Sequence, residues 1–394
     1  MISFDEALAS VVAIGQPLGV ENIPFPEASG RVLAKAVPAR FAMPRTDVSA
    51  MDGYAVRDAD LCALPFSLPI AGESAAGSPP GQVLPARAAM RIFTGAPLPE
   101  GADRVIVQES AQRDGNVVTF HRSYGPGRHI RKAGSDFRAG DLLVPAGRLL
   151  DWKSRTTAAA GDRGEVSVFL RPRVAIIATG DELADSGMAG TRPGAIPESV
   201  SYGIAALTTQ QGGIVVRCER LPDQPARLRI AASQALADAD LLIMLGGASV
   251  GDRDHSRSVF EQDLDYVFPK VAIKPGKPVW LARVGRRLVL GLPGNPTSAL
   301  VTARLFLVPL LQGLSGRDPG EAVVFETMIC SDPLPDCGDR ETFLRARRID
   351  GSLRLAVSQD SSGQLELATC DALIRLLPGT PALPAGTAVS FLPF

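Results

Sequence analysis

Three of the six lysines in this chain fall within one octapeptide, Lys270-Val-Ala-Ile-Lys274-Pro-Gly-Lys277, although arginine dominates its 41 basic residues. A lysine ammonium is a compact, rotatable point charge, and Pro275 and Pro278 stiffen the segment that carries these three, a combination suited to holding an anion. A solvated basic loop is the ordinary reading of such a cluster. Three glycine-rich turns argue against it here: Thr179-Gly180-Asp181-Glu182-Leu183, Gly246-Gly247-Ala-Ser249-Val-Gly251-Asp252, and Gly291-Leu-Pro293-Gly294-Asn295-Pro296. Glycine lets backbone N–H groups approach an oxyanion, and a following helix N-terminus adds a positive dipole. One such turn proves little, because tight turns need glycine for steric reasons. Three turns, with the lysines between the second and third, point to a phosphate or similar oxyanion, and Gly180, Asp181, Gly246, Gly247, Ser249, Gly251, Pro293, Gly294 and Asn295 are the candidate cofactor-binding positions. Acidic residues share these turns: Asp181 and Glu182 after the first run, Asp252 and Asp254 after the second. Carboxylates beside a phosphate site usually hold a divalent cation, with magnesium the natural candidate. The alternative for Asp181 and Asp252 is a carboxylate complementing a helix dipole.

Two familiar nucleotide signatures are absent: there is no Gly-x-x-x-x-Gly-Lys-[Ser/Thr] and no Gly-x-Gly-x-x-Gly after a strand. Gly247-Ala-Ser249-Val-Gly251 does fit a nucleophile elbow. That fold places its histidine after the serine and after an acidic partner, yet the only histidine beyond Ser249 is His255, six residues on. A serine hydrolase of that order is excluded, leaving Ser249 as a turn residue or an anion contact.

The elements that must position these residues read as follows. Arg173 to Thr179, Asp240 to Leu245 and Arg287 to Leu290 are apolar runs without alternation, bounded by glycine, as expected of parallel strands covered on both faces. Asn295 and Pro296 make an N-cap and first-turn pair for a helix running to about Leu311. The fold class expected is multidomain α/β plus β. A discontinuous helical or linker domain spans 1–42 and 141–170, around a β-rich insert at 43–140 with strands near Arg104 to Glu109 and Asn116 to His121. The α/β ligand-binding domain covers 171–316. A small C-terminal β-barrel covers 317–394, with alternation at Ser352 to Val357 and Gln364 to Ala368.

Composition agrees with a modular protein. At 394 residues the chain exceeds one ordinary core, and roughly 150 residues per domain suggests two to four domains. A formal net charge of -1 provides no global field for nucleic acid, so recognition is local. The five cysteines form no Cys-x-x-Cys pair, and the three histidines are widely spaced, which argues against disulfides and a zinc site. Met1 to Gly15 carries Asp5 and Glu6 and no basic n-region, and no apolar run approaches 18 residues. A cytoplasmic protein without a membrane segment is expected.

With those residues in view, the chain resembles the molybdopterin molybdenumtransferase family, which includes the E domain of gephyrin. In the β insert the resemblance rests on Ser49-Ala-Met-Asp52-Gly-Tyr-Ala-Val56, Arg91-Ile-Phe-Thr94-Gly-Ala-Pro-Leu-Pro-Glu-Gly101 and Gly127-Arg-His-Ile-Arg131. Further on it rests on the three turns, the lysine segment and Arg340-Glu-Thr-Phe343-Leu-Arg345. It implies an elongated, four-domain homodimer with its cleft between subunits. The implied reaction uses adenylylated molybdopterin, molybdate and magnesium, inserts the metal at the dithiolene and releases AMP. It assigns the cleft to Asp52, Thr94, Glu182, Asp254, Lys270 and Lys274, with Asp223 as a further acidic position; Lys277 joins the other two lysines as a candidate for stabilising charge, and Ser199 is a further binding candidate. Glu182 and Asp254 would hold Mg2+, and Asp52 and Thr94 would come from the partner subunit. The preceding adenylyltransferase and acceptor molybdoenzymes are the implied partners.

The sequence departs from the family pattern at Ile196-Pro197-Glu198-Ser199-Val200, where Ile-x-Asp-Ser/Thr-Asn is usual. An amide able to bond a substrate becomes a valine that cannot. Val48, Ser135 and Ala248 also depart. These changes keep a second reading open, an altered paralogue that binds molybdopterin or finished cofactor as a carrier.

Overall fold

The computed structural model describes residues 1–246, 255–260 and 263–394. The chain groups into two compact units. Unit 1 comprises Met1–Lys35, Ala146–Asp151 and Val166–Phe394, and unit 2 comprises Ala36–Pro145 and Trp152–Glu165.

Helix α1 (Phe4–Ile14) opens unit 1. It is set by a capping box: Ser3 Oγ accepts from Glu6 N–H while Glu6 accepts from Ser3 N–H. These two bonds satisfy backbone donors that a helix start leaves free.

Unit 2 is built on a six-stranded sheet of β1 (Gly53–Val56), β2 (Phe66–Ser74), β3 (Ala89–Ile92), β4 (Arg104–Val107), β5 (Ala111–Asp114) and β6 (Val117–Phe120), in the order β4-β1-β3-β2-β6-β5. Its pairings are antiparallel except β2 with β3. Of the helix-compatible stretch at 141–170, only α2 (Trp152–Ala160) is helical; Leu142–Val144 and Glu165–Phe169 are strands. Pro145 and Gly147 interrupt the stretch before α2, and Gly161 and Gly164 follow it.

The remainder of unit 1 contains β7 (Arg173–Thr179), α3 (Val200–Gln210), β8 (Ile214–Leu221), α4 (Pro225–Asp238), β9 (Leu241–Leu245), α5 (His255–Ser258), β10 (Asp265–Phe268), β11 (Ile273–Lys274), β12 (Trp280–Val284) and β13 (Arg287–Leu292). The sheet order is β8-β7-β9-β13-β12-β10. The four strands from β8 to β13 are parallel, with Val174 opposite Leu241 and Leu241 opposite Leu288. β12 and β10 extend the sheet antiparallel, so it is mixed, not wholly parallel. Alternate residues serve two cores. Val174, Ile176 and Ala178 pack with α1, α3 and the helix after β13, whereas Ala175 and Ile177 pack against Leu228, Ala232 and Ala235 of α4. Burial on both faces explains the unalternating apolar runs.

The helix after β13 is three pieces: α6 (Pro296–Thr302), a π-turn at Ala303–Leu307 and α7 (Val308–Leu314). By length and composition Pro296–Leu314 could cross a bilayer, which corrects the expectation that no such run exists. It is 89% buried within the protein and serves as a core helix.

Five further strands, β14 (Glu326–Cys330), β15 (Glu341–Ile349), β16 (Ser352–Leu355), β17 (Ala372–Leu376) and β18 (Thr387–Pro393), close into the expected barrel through the β15–β17 pairing. β11 adds to it alongside β15. The expected strand at Gln364 to Ala368 is not one: Leu365 is 96% exposed and Leu367–Thr369 is a 3-10 turn. Its alternation has no neighbour to face.

Candidate anion-binding active site

The carboxyl ends of β7, β9 and β13 meet. Gly246 N–H donates to Leu292 O at 3.4 Å. Gly246 has φ +90°, and a Cβ there would lie 2.6 Å from the Thr179 carbonyl oxygen. A Cβ on Gly294 would lie 3.3 Å from Gly246 Cα. Glycine at 246 and 294 is therefore set by close backbone packing where the strands end. Gly247, Ser249, Gly251, Asp252 and Asp254 lie outside the described residues.

Asp181 and Asp223 tie β7 to β8. Thr179 Oγ1 donates to Asp223 Oδ1, and Asp223 N–H donates to Asp181 Oδ1 at 3.1 Å. Each therefore spends one carboxylate oxygen on the scaffold. Glu182 differs. Its carbonyl accepts from Ile196 N–H at 2.9 Å, which fixes its backbone. Its side chain is exposed, lies over Gly180, and has no hydrogen-bond or ion-pair partner among the described residues.

The altered segment 196–200 is used by the fold. Glu198, 7% exposed, accepts from Ser201 N–H at 2.8 Å and from Ser201 Oγ, satisfying the start of α3. Ser199 holds the N-cap position but makes no cap bond; its hydroxyl donates to Gln364 Oε1 at 3.1 Å. Val200 packs into the core with Ile204 and Ile176.

At α6, Asn295 occupies the expected N-cap position, yet its side chain caps nothing and donates instead to Ser361 Oγ at 3.1 Å. Ser361 O accepts the Thr297 N–H at 3.2 Å. Arg345, 2% exposed, gathers this loop by donating to Thr297 Oγ1 (3.1 Å) and to the carbonyls of Ser358 (2.8 Å), Asp360 (2.9 Å) and Gly363 (3.3 Å). Burial pushes its guanidinium pKa down. The contribution of the barrel loop 358–364 was missed from sequence, although Ser358-Gln-Asp-Ser-Ser-Gly363 is a clear loop signal.

Lys274 lies in β11, opposite Thr342 of β15. Thr342 is three extended residues from Arg345, about 10 Å along the strand. Lys274 and Lys277 are exposed and Lys270 is half-buried. Among the described residues none of the three ammonium groups has a carboxylate partner. Asp52 and Thr94 belong to unit 2. Thr94 donates its N–H and its Oγ1 to Asp52 Oδ1, both at 2.7 Å. These bonds, the backbone one foremost, hold the Asp52 carboxyl below the usual carboxylate range. No cluster of three or more His, Cys, Asp or Glu able to hold a metal exists among the described residues.

The fold is that of a multidomain protein with an α/β domain and a closed five-stranded barrel near its C-terminus. Residues 2–161 match the family described as the MoeA N-terminal region (domain I and II), and residues 175–313 match the probable molybdopterin binding domain. A molybdopterin molybdenumtransferase from Nostoc is 36% identical over 93% of this chain and 86% of its own length. One from Haemophilus influenzae is 35% identical over 80% of this chain and 78% of its own. The solved molybdopterin biosynthesis MoeA protein from Pyrococcus horikoshii superposes with a TM-score of 0.84 at 25% identity, covering 100% of both chains. The chain belongs to the molybdopterin molybdenumtransferase family, enzymes of molybdenum cofactor biosynthesis.

Proposed function

We propose that this enzyme inserts molybdate into adenylylated molybdopterin with magnesium-dependent release of AMP. The observation that carries the reading is the meeting of Thr179, Gly246 and Gly294 at the sheet's carboxyl edge, together with three lysines that lack carboxylate partners among the described residues. Substrate and co-substrate are both oxyanions, the first with a phosphoanhydride. Backbone donors in the turns orient its phosphates. Lys270, Lys274 and Lys277 stabilise charge that develops on phosphate and molybdate oxygens as the P–O bond to AMP breaks and water's oxygen joins the remaining phosphate.

The residues present fit a magnesium ion. Glu182 offers an uncommitted hard oxygen, and this ion is usually held by one or two carboxylates plus substrate phosphates and water. Glu182, with Asp254 as the second carboxylate, would hold it. Bound there it supplies Lewis-acid polarisation of the phosphoanhydride. The working form is a cytoplasmic homodimer in which Asp52 and Thr94 of a second copy complete the cleft, receiving substrate from the preceding adenylyltransferase and passing product to acceptor molybdoenzymes. The four segments 1–42 with 141–170, 43–140, 171–316 and 317–394 are its functional domains. We do not adopt the carrier reading, because Glu198 and Val200 have local roles in helix and core that account for the altered segment.

The test is AMP release from adenylylated molybdopterin with magnesium, with and without molybdate. The wild-type chain should show molybdate-stimulated release. Lys274→Ala should lower it by about 10²-fold or more while the dimer remains folded. Unchanged release in that variant removes the assignment, and tight binding without release by the wild type favours the carrier.

A further inference from the structure

The amino edge of the same sheet carries a cavity with no part in the site above. It has a volume of about 190 Å³ and is lined by Arg31, Arg171 and Arg317, with Ser29, Phe169 and Gln211 among its other walls. On that measure a single water needs only about 10–15 Å³, so there is room for a small solute and its hydration.

Its arginines are unequally satisfied. Arg171 has a structural task, donating from Nε to Gly212 O (2.8 Å) and from Nη2 to Gly213 O (3.0 Å), just beyond the end of α3. That is the usual service of a cation at a helix C-terminus. Arg31 pairs with Glu21 and donates to Phe169 O at 2.8 Å, yet its Nε is buried with no hydrogen-bond partner. The half-buried Arg317 side chain has no hydrogen bond or ion pair among the described residues. Burial pushes the pKa of Arg171 and Arg317 down, and like charges add to it, Arg31 for the first and Arg148 for the second. Glu321 opposes the shift at Arg317. Helix capping thus explains Arg171 but leaves a buried donor and an unpaired guanidinium around one polar cavity. Partly desolvated charge of one sign is costly unless an opposite charge completes it. Guanidinium forks match the geometry of tetrahedral oxyanions.

We propose that this cavity binds a small tetrahedral oxyanion, of the phosphate or molybdate class, between Arg31, Arg171 and Arg317. Titration calorimetry of the full chain with inorganic phosphate and, separately, with sodium molybdate tests it. Arg317→Gln removes a charge that makes no structural bond, and it should weaken one binding event per chain by about tenfold or more. Gln211→Glu keeps the acceptor that Gln312 Nε2 uses at 3.1 Å and places a carboxylate in the cavity. It should abolish the same event and raise the thermal midpoint. A preference for phosphate assigns a phosphoryl ligand, and a preference for molybdate assigns the metal oxyanion; either supports the site. If both variants, folded by circular dichroism, bind each anion with wild-type stoichiometry and affinity, the proposal fails.

Discussion

Gly246→Ala tests whether the strand ends truly meet as described. The residue has φ +90°, and its added methyl would sit 2.6 Å from the Thr179 carbonyl oxygen, a backbone atom that no rotamer can move. Holding alanine in that backbone region costs about 1–3 kcal/mol. Separating β7 from β9 enough to relieve the contact adds about 1–3 kcal/mol. The expected loss is therefore about 4 kcal/mol, or slightly more than 1 M in urea midpoint if the m-value is about 3 kcal/mol/M. Trp280 is fully buried in unit 1 whereas Trp152 is 76% exposed, so the fluorescence shift on unfolding reports chiefly on the sheet concerned. Gly294→Ala is the control: its methyl would lie 3.3 Å from Gly246 Cα, and its φ lies outside the positive range. That variant should lose less than about 1 kcal/mol, within the range of ordinary substitutions. Equal losses at the two positions, or a loss below about 1 kcal/mol at Gly246, would refute the reasoning.

Thr94→Val removes the hydroxyl that donates to Asp52, so the Asp52 carboxyl should titrate closer to its unfolded value of about 3.9, as read by carbon NMR of the side chain. Because the folded value is depressed, the stabilisation from this turn is present above the unfolded pKa and is lost as pH falls through the folded one; an unchanged titration in the variant would show that the hydroxyl contributes nothing. Glu198→Ala takes the acceptor from Ser201 N–H and Oγ and should cost about 2 kcal/mol in urea unfolding. A cost below about 0.5 kcal/mol would mean that Glu198 does not set the start of α3.

The three strands and the turns that end them were legible because burial on both faces writes β7, β9 and β13 as unbroken apolar runs, and glycine marks where each ends. β8 was not legible. Its sequence, Ile-Val-Val-Arg217-Cys-Glu219-Arg-Leu, lies at the sheet edge with half-exposed side chains, and Arg217 and Glu219 pair with each other at 2.7 Å. The reversal at β12 and β10 escaped for another reason: hydrophobic pattern records burial and not direction. Asn295 was placed correctly as an N-cap, but its partner Ser361 is 66 residues away, and only the tertiary fold shows the side chain leaving the helix. The arginine cavity likewise draws on segments near residues 30, 170, 211 and 317, none of which stands out alone.

The segment 196–200 shows how a departure from family pattern can be absorbed. Glutamate at 198 has the reach to accept from Ser201 N–H and Oγ, so α3 is held although Ser199 makes no cap bond. Valine at 200 is 8% exposed within the core. Burying its side chain contributes about 1.5–3 kcal/mol, whereas an amide buried there without partners would cost about 1–3 kcal/mol. The two positions therefore favour the present residues for reasons of folding. Their work is internal to the fold, and the Ser199 hydroxyl is likewise engaged, donating to Gln364 of the barrel loop.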